Sequence, residues 1–90
     1  MFAAVCCDIA SADHQQAISV LLGQYGFKKM LKDVYEHISI NKLYLKKLKR
    51  DIDKLTDSYD IVRIYQYPMD NTLVISSLKS KKWRKLLIKI

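Results

Sequence analysis

The first quarter of the chain changes from a continuous apolar run to a helical pattern. Residues 2–7 are apolar or small and are followed by Asp8, which is typical of a buried central strand. Ser11 can cap a helix, and apolar side chains then recur at helical spacing as far as Gly26. Glycine is the usual residue just past the end of a helix, so the pattern predicts a strand and then a helix that Gly26 terminates.

The middle of the chain predicts more strand and a second helix. Residues 27–38 are rich in branched and aromatic side chains, and we expect one bent strand or two short ones over 28–31 and 34–37. Ser39 or Asn41 then caps the second helix. Apolar residues recur in this helix at the spacing i, i+3, i+7 and i+10, which predicts one buried stripe formed by Leu45, Leu48, Ile52 and Leu55.

The last third of the chain predicts strands joined by a turn. Residues 58–65 alternate with a period of two, residues 67–71 surround the single proline, and residues 72–78 form another strand. Residues 79–90 fit both a strand and a helix. We expect this segment to be a strand added to the sheet edge of a partner, the alternative being a disordered basic tail.

The predicted order of elements is β-α-β-β-α-β with an additional C-terminal strand. Two helices on one face of an antiparallel sheet make an α+β sandwich of the ferredoxin-like type. Right-handed crossovers place the first strand centrally, beside the strand that follows the second helix. We therefore expect one ferredoxin-like domain over residues 1–78 and a basic segment over 79–90 that docks on a partner.

Charge is distributed unevenly along the 90 residues. The chain has 16 Lys and Arg against 9 Asp and Glu, but residues 1–27 hold two acids and no Lys or Arg, so residues 28–90 carry +9. Such a basic surface favours nucleic acid as a partner, although lysines also keep small proteins soluble. The predicted phosphate contacts on the second helix are Lys46, Lys47 and Arg50. A chain this short also disfavours a large catalytic architecture.

The cysteines and the N-terminal segment indicate the compartment. Cys6 and Cys7 are adjacent, which prevents a normal disulfide between them, and no Cys-x-x-Cys spacing exists for zinc. Free thiols within an apolar run suit a reducing cytoplasm. The first residues lack a positive region before the apolar run, so we expect neither a signal peptide nor a membrane span.

Three side chains are candidates for chemistry. Asp8 stands at the exit of the predicted central strand, where a carboxylate either binds a metal ion, pairs with a base or caps the first helix. One carboxylate makes an incomplete Mg²⁺ site, which a symmetric dimer would complete with a second Asp8. His14 and His37 are candidate general bases, although a lone histidine is more often an ordinary surface or core residue.

Three motifs in this order resemble the CRISPR-associated protein 2 family. The first is an apolar run that ends in aspartate, at residues 5–9. The second is a Gly-apolar-basic stretch at 25–29, followed by a Val-aromatic-Glu segment at 33–36. The third comprises Asp57 and Ser58 and then the strand Ile-Val-Arg-Ile-Tyr at 61–65. The likeness extends from Val5 to about Leu78.

The resemblance implies a homodimeric scaffold that bridges CRISPR integrase dimers and holds a double-stranded DNA protospacer during spacer acquisition. Some members of the family are Mg²⁺-dependent endonucleases on RNA or duplex DNA, which implies that Asp8 is the metal ligand and the catalytic residue. It also implies that Lys28 and Lys29 contact phosphates. The alternatives are a stand-alone endoribonuclease of toxin type with the same fold and, third, a plain RNA-binding module.

Overall fold

Two helices alternate along the chain with the strands of one antiparallel sheet. A computed structural model describes residues 1–68 and 70–89. The elements are β1 (Phe2–Asp8), α1 (Ala12–Gln24), β2 (Lys28–Leu31), β3 (Val34–His37), α2 (Lys42–Leu55), β4 (Ile61–Tyr67), β5 (Thr72–Lys79) and β6 (Lys82–Lys89). The strand order is β2-β3-β1-β4-β5-β6. β1 lies between β3 and β4, as predicted, and the α+β class is confirmed with an order compatible with a ferredoxin-like fold.

Helix α1 has the predicted start and stop. The Ser11 hydroxyl accepts a hydrogen bond from the backbone N–H of His14 at 3.1 Å. Beyond the last turn Gly26 has φ of +87°, and the N–H of Phe27 donates to the carbonyl of Leu22 at 2.9 Å. Because this left-handed conformation is strained for any side chain, glycine at this position allows the chain to leave the helix at a sharp angle.

Helix α2 begins at the second of the two candidate caps. The Asn41 side chain accepts a hydrogen bond from the backbone N–H of Tyr44 at 2.7 Å. Leu45, Leu48 and Ile52 are buried, so the predicted stripe is confirmed at these positions. The two helices are also joined by a hydrogen bond from the hydroxyl of Tyr25 to the carboxylate of Asp51.

Both helices cover the same face of the sheet. Residues of α1, α2 and the central strands form one core, which contains Val5, Ile18, Leu22, Leu48, Ile52, Val62 and Ile64. Neighbouring residues in a strand point to opposite faces, so the side chains between these core positions point to the other face. That open face carries apolar groups that are more than a third exposed: Phe2, Ile61, Tyr67, Leu86 and Ile88. No element of the described residues covers it.

The C-terminal segment forms a strand, as predicted, but it pairs with the chain's own β5. Residues 82–89 lie antiparallel to 72–79, and the turn between them places both Ser80 and Lys81 at positive φ, 52° and 60°. This pairing differs from the expected addition to the edge of a partner. The sheet instead continues through the strand, and the boundary expected at residue 78 falls inside β5.

Two predictions reach beyond the described residues. The expected turn at 67–71 includes Met69, and the expected tail includes Ile90; both of these residues lie outside the described part of the chain. Within the described part, neither helix is long and apolar enough to cross a membrane.

Candidate functional site

A groove runs between α2 and the β5–β6 hairpin. The sheet extends past the helices, so one side of α2 faces the uncovered part of β5 and β6. The groove has a volume of about 880 Å³, within the range of small-ligand sites. Six basic residues border it, four from α2 and two from β6: Lys42, Lys46, Lys49, Arg50, Arg84 and Lys85. Arg84 pairs with Ser77, so its side chain starts on the open face of the sheet, and the other five belong to the helix side. The groove is therefore a concentrated positive surface.

Lys49 is the most constrained of these bases. Its ammonium donates to the Ser76 hydroxyl at 2.8 Å and lies 5.6 Å from the centre of the Trp83 ring. Partial burial lowers the pKa of Lys49, and the positive charge of Lys85 lowers it further. Both effects destabilise the positive charge of Lys49 as long as it lacks a counter-ion, so an anion in the groove would be electrostatically favourable.

The end of α2 is fixed to the hairpin that forms the other wall. The ammonium of Lys81 donates to the carbonyl oxygens of Asp53 and Thr56, with the Thr56 contact at 2.9 Å. It also lies 3.3 Å from the Asp53 carboxylate. These contacts hold the β5–β6 turn against the last turn of α2, and they engage one of the acids that line the groove.

The predicted phosphate contacts fall on three different surfaces. Lys46 and Arg50 line the groove. Lys47 is exposed, but it does not line the groove, because it lies about 100° around the helix from its neighbour Lys46. Lys28 and Lys29 are exposed on β2, which is the opposite edge strand of the sheet.

Asp8 is the last residue of β1 and is exposed. Its register partner is Ile61, so its side chain belongs to the open face of the sheet. Among the described residues, the one group of three side chains whose ligand atoms are close enough to share a metal ion does not include Asp8.

That group is His14, Asp57 and Asp60, whose ligand atoms lie within 4.8 Å of one another. The Nδ1 atom of His14 is 3.4 Å from the Asp60 carboxylate and 4.0 Å from that of Asp57. One imidazole nitrogen and two carboxylates are an established ligand set for divalent ions. The cluster can therefore hold a metal ion.

Asp57 and Asp60 were not predicted as members of this cluster. His14 follows β1 by a few residues, and the two aspartates precede β4. Because Asp8 at the end of β1 pairs with Ile61 at the start of β4, the two loops meet at one edge of the sheet. The sequence signal that could have identified them is a pair of acids three residues apart, directly before a strand that was predicted to lie beside β1. His37 is bound locally, since its Nδ1 accepts the N–H of Ser39 at 3.0 Å.

No protein-family model matches the chain, and no curated protein matches it significantly. The resemblance to CRISPR-associated protein 2 thus rests on the sequence motifs alone.

Proposed function

We propose that the protein is a nucleic-acid-binding scaffold of the CRISPR-associated protein 2 type, which holds a protospacer duplex between integrase dimers. The observation that carries the nucleic-acid part is the groove beside α2, where five basic side chains on the helix side of the sheet stand against two acids, Asp53 and Asp70. Phosphate contacts of this kind supply affinity without reading sequence. The CRISPR part of the proposal is supported by the three motifs.

The duplex would lie along the exposed rim of the groove. Lys46 and Arg50 occupy successive turns of α2 and are both exposed, so their charges reach outward. Lys47 and Lys54 belong to the same helix but do not line the groove. The helix therefore offers a matched pair of basic surfaces, only one of which adjoins the groove.

A second copy of the chain is the proposed occupant of the open sheet face. Covering the exposed apolar side chains of that face would stabilise a chain too small to bury much surface alone. A face-to-face dimer would also bring the Asp8 side of one copy towards the other. Two carboxylates with water and a phosphate would then complete a Mg²⁺ site for endonuclease activity.

Duplex binding is tested by fluorescence anisotropy over a range of salt concentrations. For duplex DNA the slope of log K against log salt is about −0.9 per phosphate neutralised. The double variant Lys46→Gln/Arg50→Gln should flatten the slope by about 1.8 units if each base contacts one phosphate. The control Lys47→Gln/Lys54→Gln removes the same charge from the same helix and should change the slope by less. Equal effects of the two double variants would contradict a duplex on this rim.

The biological role is tested by purification from the native cell. Co-purification of an integrase supports the adaptation scaffold. Mg²⁺-dependent RNA cleavage by a preparation that recruits no integrase would favour the stand-alone toxin-type endoribonuclease. In either case Asp8→Asn should abolish metal-dependent cleavage while the fold and duplex binding persist. Wild-type cleavage by this variant would place the nuclease centre elsewhere.

A further inference from the structure

The floor of the groove contains a largely buried glutamine. Gln66 lies on the helix side of β4, is 9% exposed and lines the groove. On the adjacent strand β5, the Ser76 hydroxyl accepts a hydrogen bond from Lys49. A glutamine side chain carries both a hydrogen-bond donor and an acceptor. Gln66 therefore presents a donor and an acceptor to whatever enters the groove.

The wall beside this amide combines an aromatic ring with two cations. Trp83 is partly buried in the groove, with the ammonium of Lys49 at 5.6 Å from its ring centre. Lys85 is the register partner of Ser76, to which Lys49 donates its hydrogen bond, so the two cations stand on the same wall. Of the two acids in the lining, Asp53 is engaged by Lys81 at 3.3 Å. An anion that carries an aromatic ring with polar edges is the complementary ligand.

We propose that the floor of the groove is a nucleotide site. Lys49 and Lys85 hold the phosphate. The base packs against the exposed part of the Trp83 ring, beside the Lys49 ammonium, and Gln66 hydrogen-bonds the edge of the base. The proposal rests on the nucleic-acid function proposed above and specifies what reaches the floor rather than the rim.

A duplex does not meet this requirement. The faces of its bases are stacked on one another and cannot pack against Trp83, whereas an unpaired nucleotide exposes a ring face together with its base edge. The same chemistry is offered by an unpaired nucleotide within a strand and by a free nucleoside monophosphate. The groove volume of about 880 Å³ is sufficient for one such unit.

The chain has one tryptophan, Trp83, so its own fluorescence reports on the site. We expect a single-stranded oligothymidylate to quench this fluorescence, and a blunt duplex of the same length to bind without comparable quenching. Thymidine monophosphate forms the third arm. Quenching by the monophosphate identifies a free nucleotide as a ligand, and quenching by the oligonucleotide alone identifies an unpaired nucleotide in a strand. Equal quenching by the blunt duplex would overturn the proposal.

Variants separate the floor from the rim. Trp83→Leu and Gln66→Leu should each weaken single-strand binding roughly ten-fold by anisotropy, while Trp83→Phe retains a stacking surface and most of the affinity. Duplex affinity should stay at the wild-type level in all three, with circular dichroism as the check on folding. Unchanged single-strand affinity in folded Trp83→Leu would overturn the nucleotide site and leave the duplex proposal standing. If the wild type binds neither single-stranded nor duplex nucleic acid, the proposed function itself is overturned.

Discussion

At the scale of single residues, Asp60 is a carboxylate that is 0% exposed and yet charged. Burial alone would raise the pKa of Asp60, but hydrogen bonds from the N–H groups of Ala10 and Asp57, both at 2.9 Å, and the contact with His14 outweigh burial and lower it. These bonds join the loop after β1 to the loop before β4. Asp60 therefore holds together the edge of the sheet where the metal-ligating cluster lies.

Replacing this carboxylate should be costly. Asp60→Asn keeps the shape but removes charge-assisted hydrogen bonds, and we expect a loss of about 2–4 kcal/mol of unfolding free energy at pH 7. The pKa of Asp60 is lower in the folded chain than in the unfolded chain. The stabilisation by its carboxylate is therefore complete above about pH 4, the usual pKa of an aspartate in an unfolded chain, and it is lost as pH falls through the folded pKa.

Urea unfolding at pH 7 and pH 3 checks this expectation. The stability gap between wild type and Asp60→Asn should narrow in acid. Asp13→Asn is the control, an exposed acid in the first turn of α1, and it should cost less than about 1 kcal/mol. Wild-type stability of Asp60→Asn at pH 7 would contradict the role given to the carboxylate.

The His14 cluster makes a separate prediction about metal binding. A nitrogen ligand favours Zn²⁺ or Mn²⁺ over Mg²⁺, which prefers oxygen ligands. Zn²⁺ at 100 times its Kd should stabilise the fold by about 2.7 kcal/mol. Thermal unfolding and titration calorimetry should show that His14→Ala removes this effect. His37→Ala replaces the other histidine of the chain and is the matched control; both variants retaining the metal response would exclude the cluster.

The sequence can single out individual candidate residues, but it does not reveal which of them lie close together in the fold. Asp8 was identified because it follows an apolar strand directly. Asp57 and Asp60 were not assigned to a site, because their partner His14 is more than 40 residues away along the chain and only the pairing of β1 with β4 brings them together. Gln66 was also not predicted, since the alternating pattern of a strand does not distinguish a glutamine that lines a groove from one that faces solvent.

At the scale of elements, the helices and their ends were largely predictable, whereas the groove was not. Caps and apolar spacing are local signals, which is why Ser11, Gly26 and the stripe of α2 were identified. The groove depends on the β5–β6 turn, where Ser80 and Lys81 adopt left-handed conformations without the usual Asn-Gly signature. Without that signal the tail had no defined partner, and the wall of the groove could not be placed.

The two glycines of the chain test the end of α1 with opposite expected signs. A Cβ on Gly26 would lie 3.0 Å from Nε2 of His37, at φ of +87°, so Gly26→Ala should lose about 1–2 kcal/mol. Gly23 is helical, and a Cβ added there would meet nothing within 4 Å. Gly23→Ala should therefore gain about 0.5–1 kcal/mol. Chemical denaturation of both variants checks this, and a shared sign would contradict the conformational account.

At the scale of the whole molecule, the two faces of the sheet carry different chemistry. The helix side contains the basic groove beside α2, and the other side exposes apolar groups near Asp8. A dimer built on the open face would leave both grooves accessible, because the groove lies on the opposite side of the sheet. Dimerisation and nucleic-acid binding are thus expected to be separable by mutation.

The proposed dimer can be tested at its interface. Light scattering at tens of micromolar protein should give about twice the chain mass of 10.5 kDa. Leu86 is 53% exposed on the open face, and Leu86→Lys places a charge where the second copy would bury it, so this variant should be a folded monomer. Leu43→Lys adds the same charge on α2 at a residue that is 82% exposed, and it should remain dimeric. A monomeric wild type, or a dimeric Leu86→Lys, would remove the open face as the dimer interface, and with it the completion of an Asp8 metal site by a second chain.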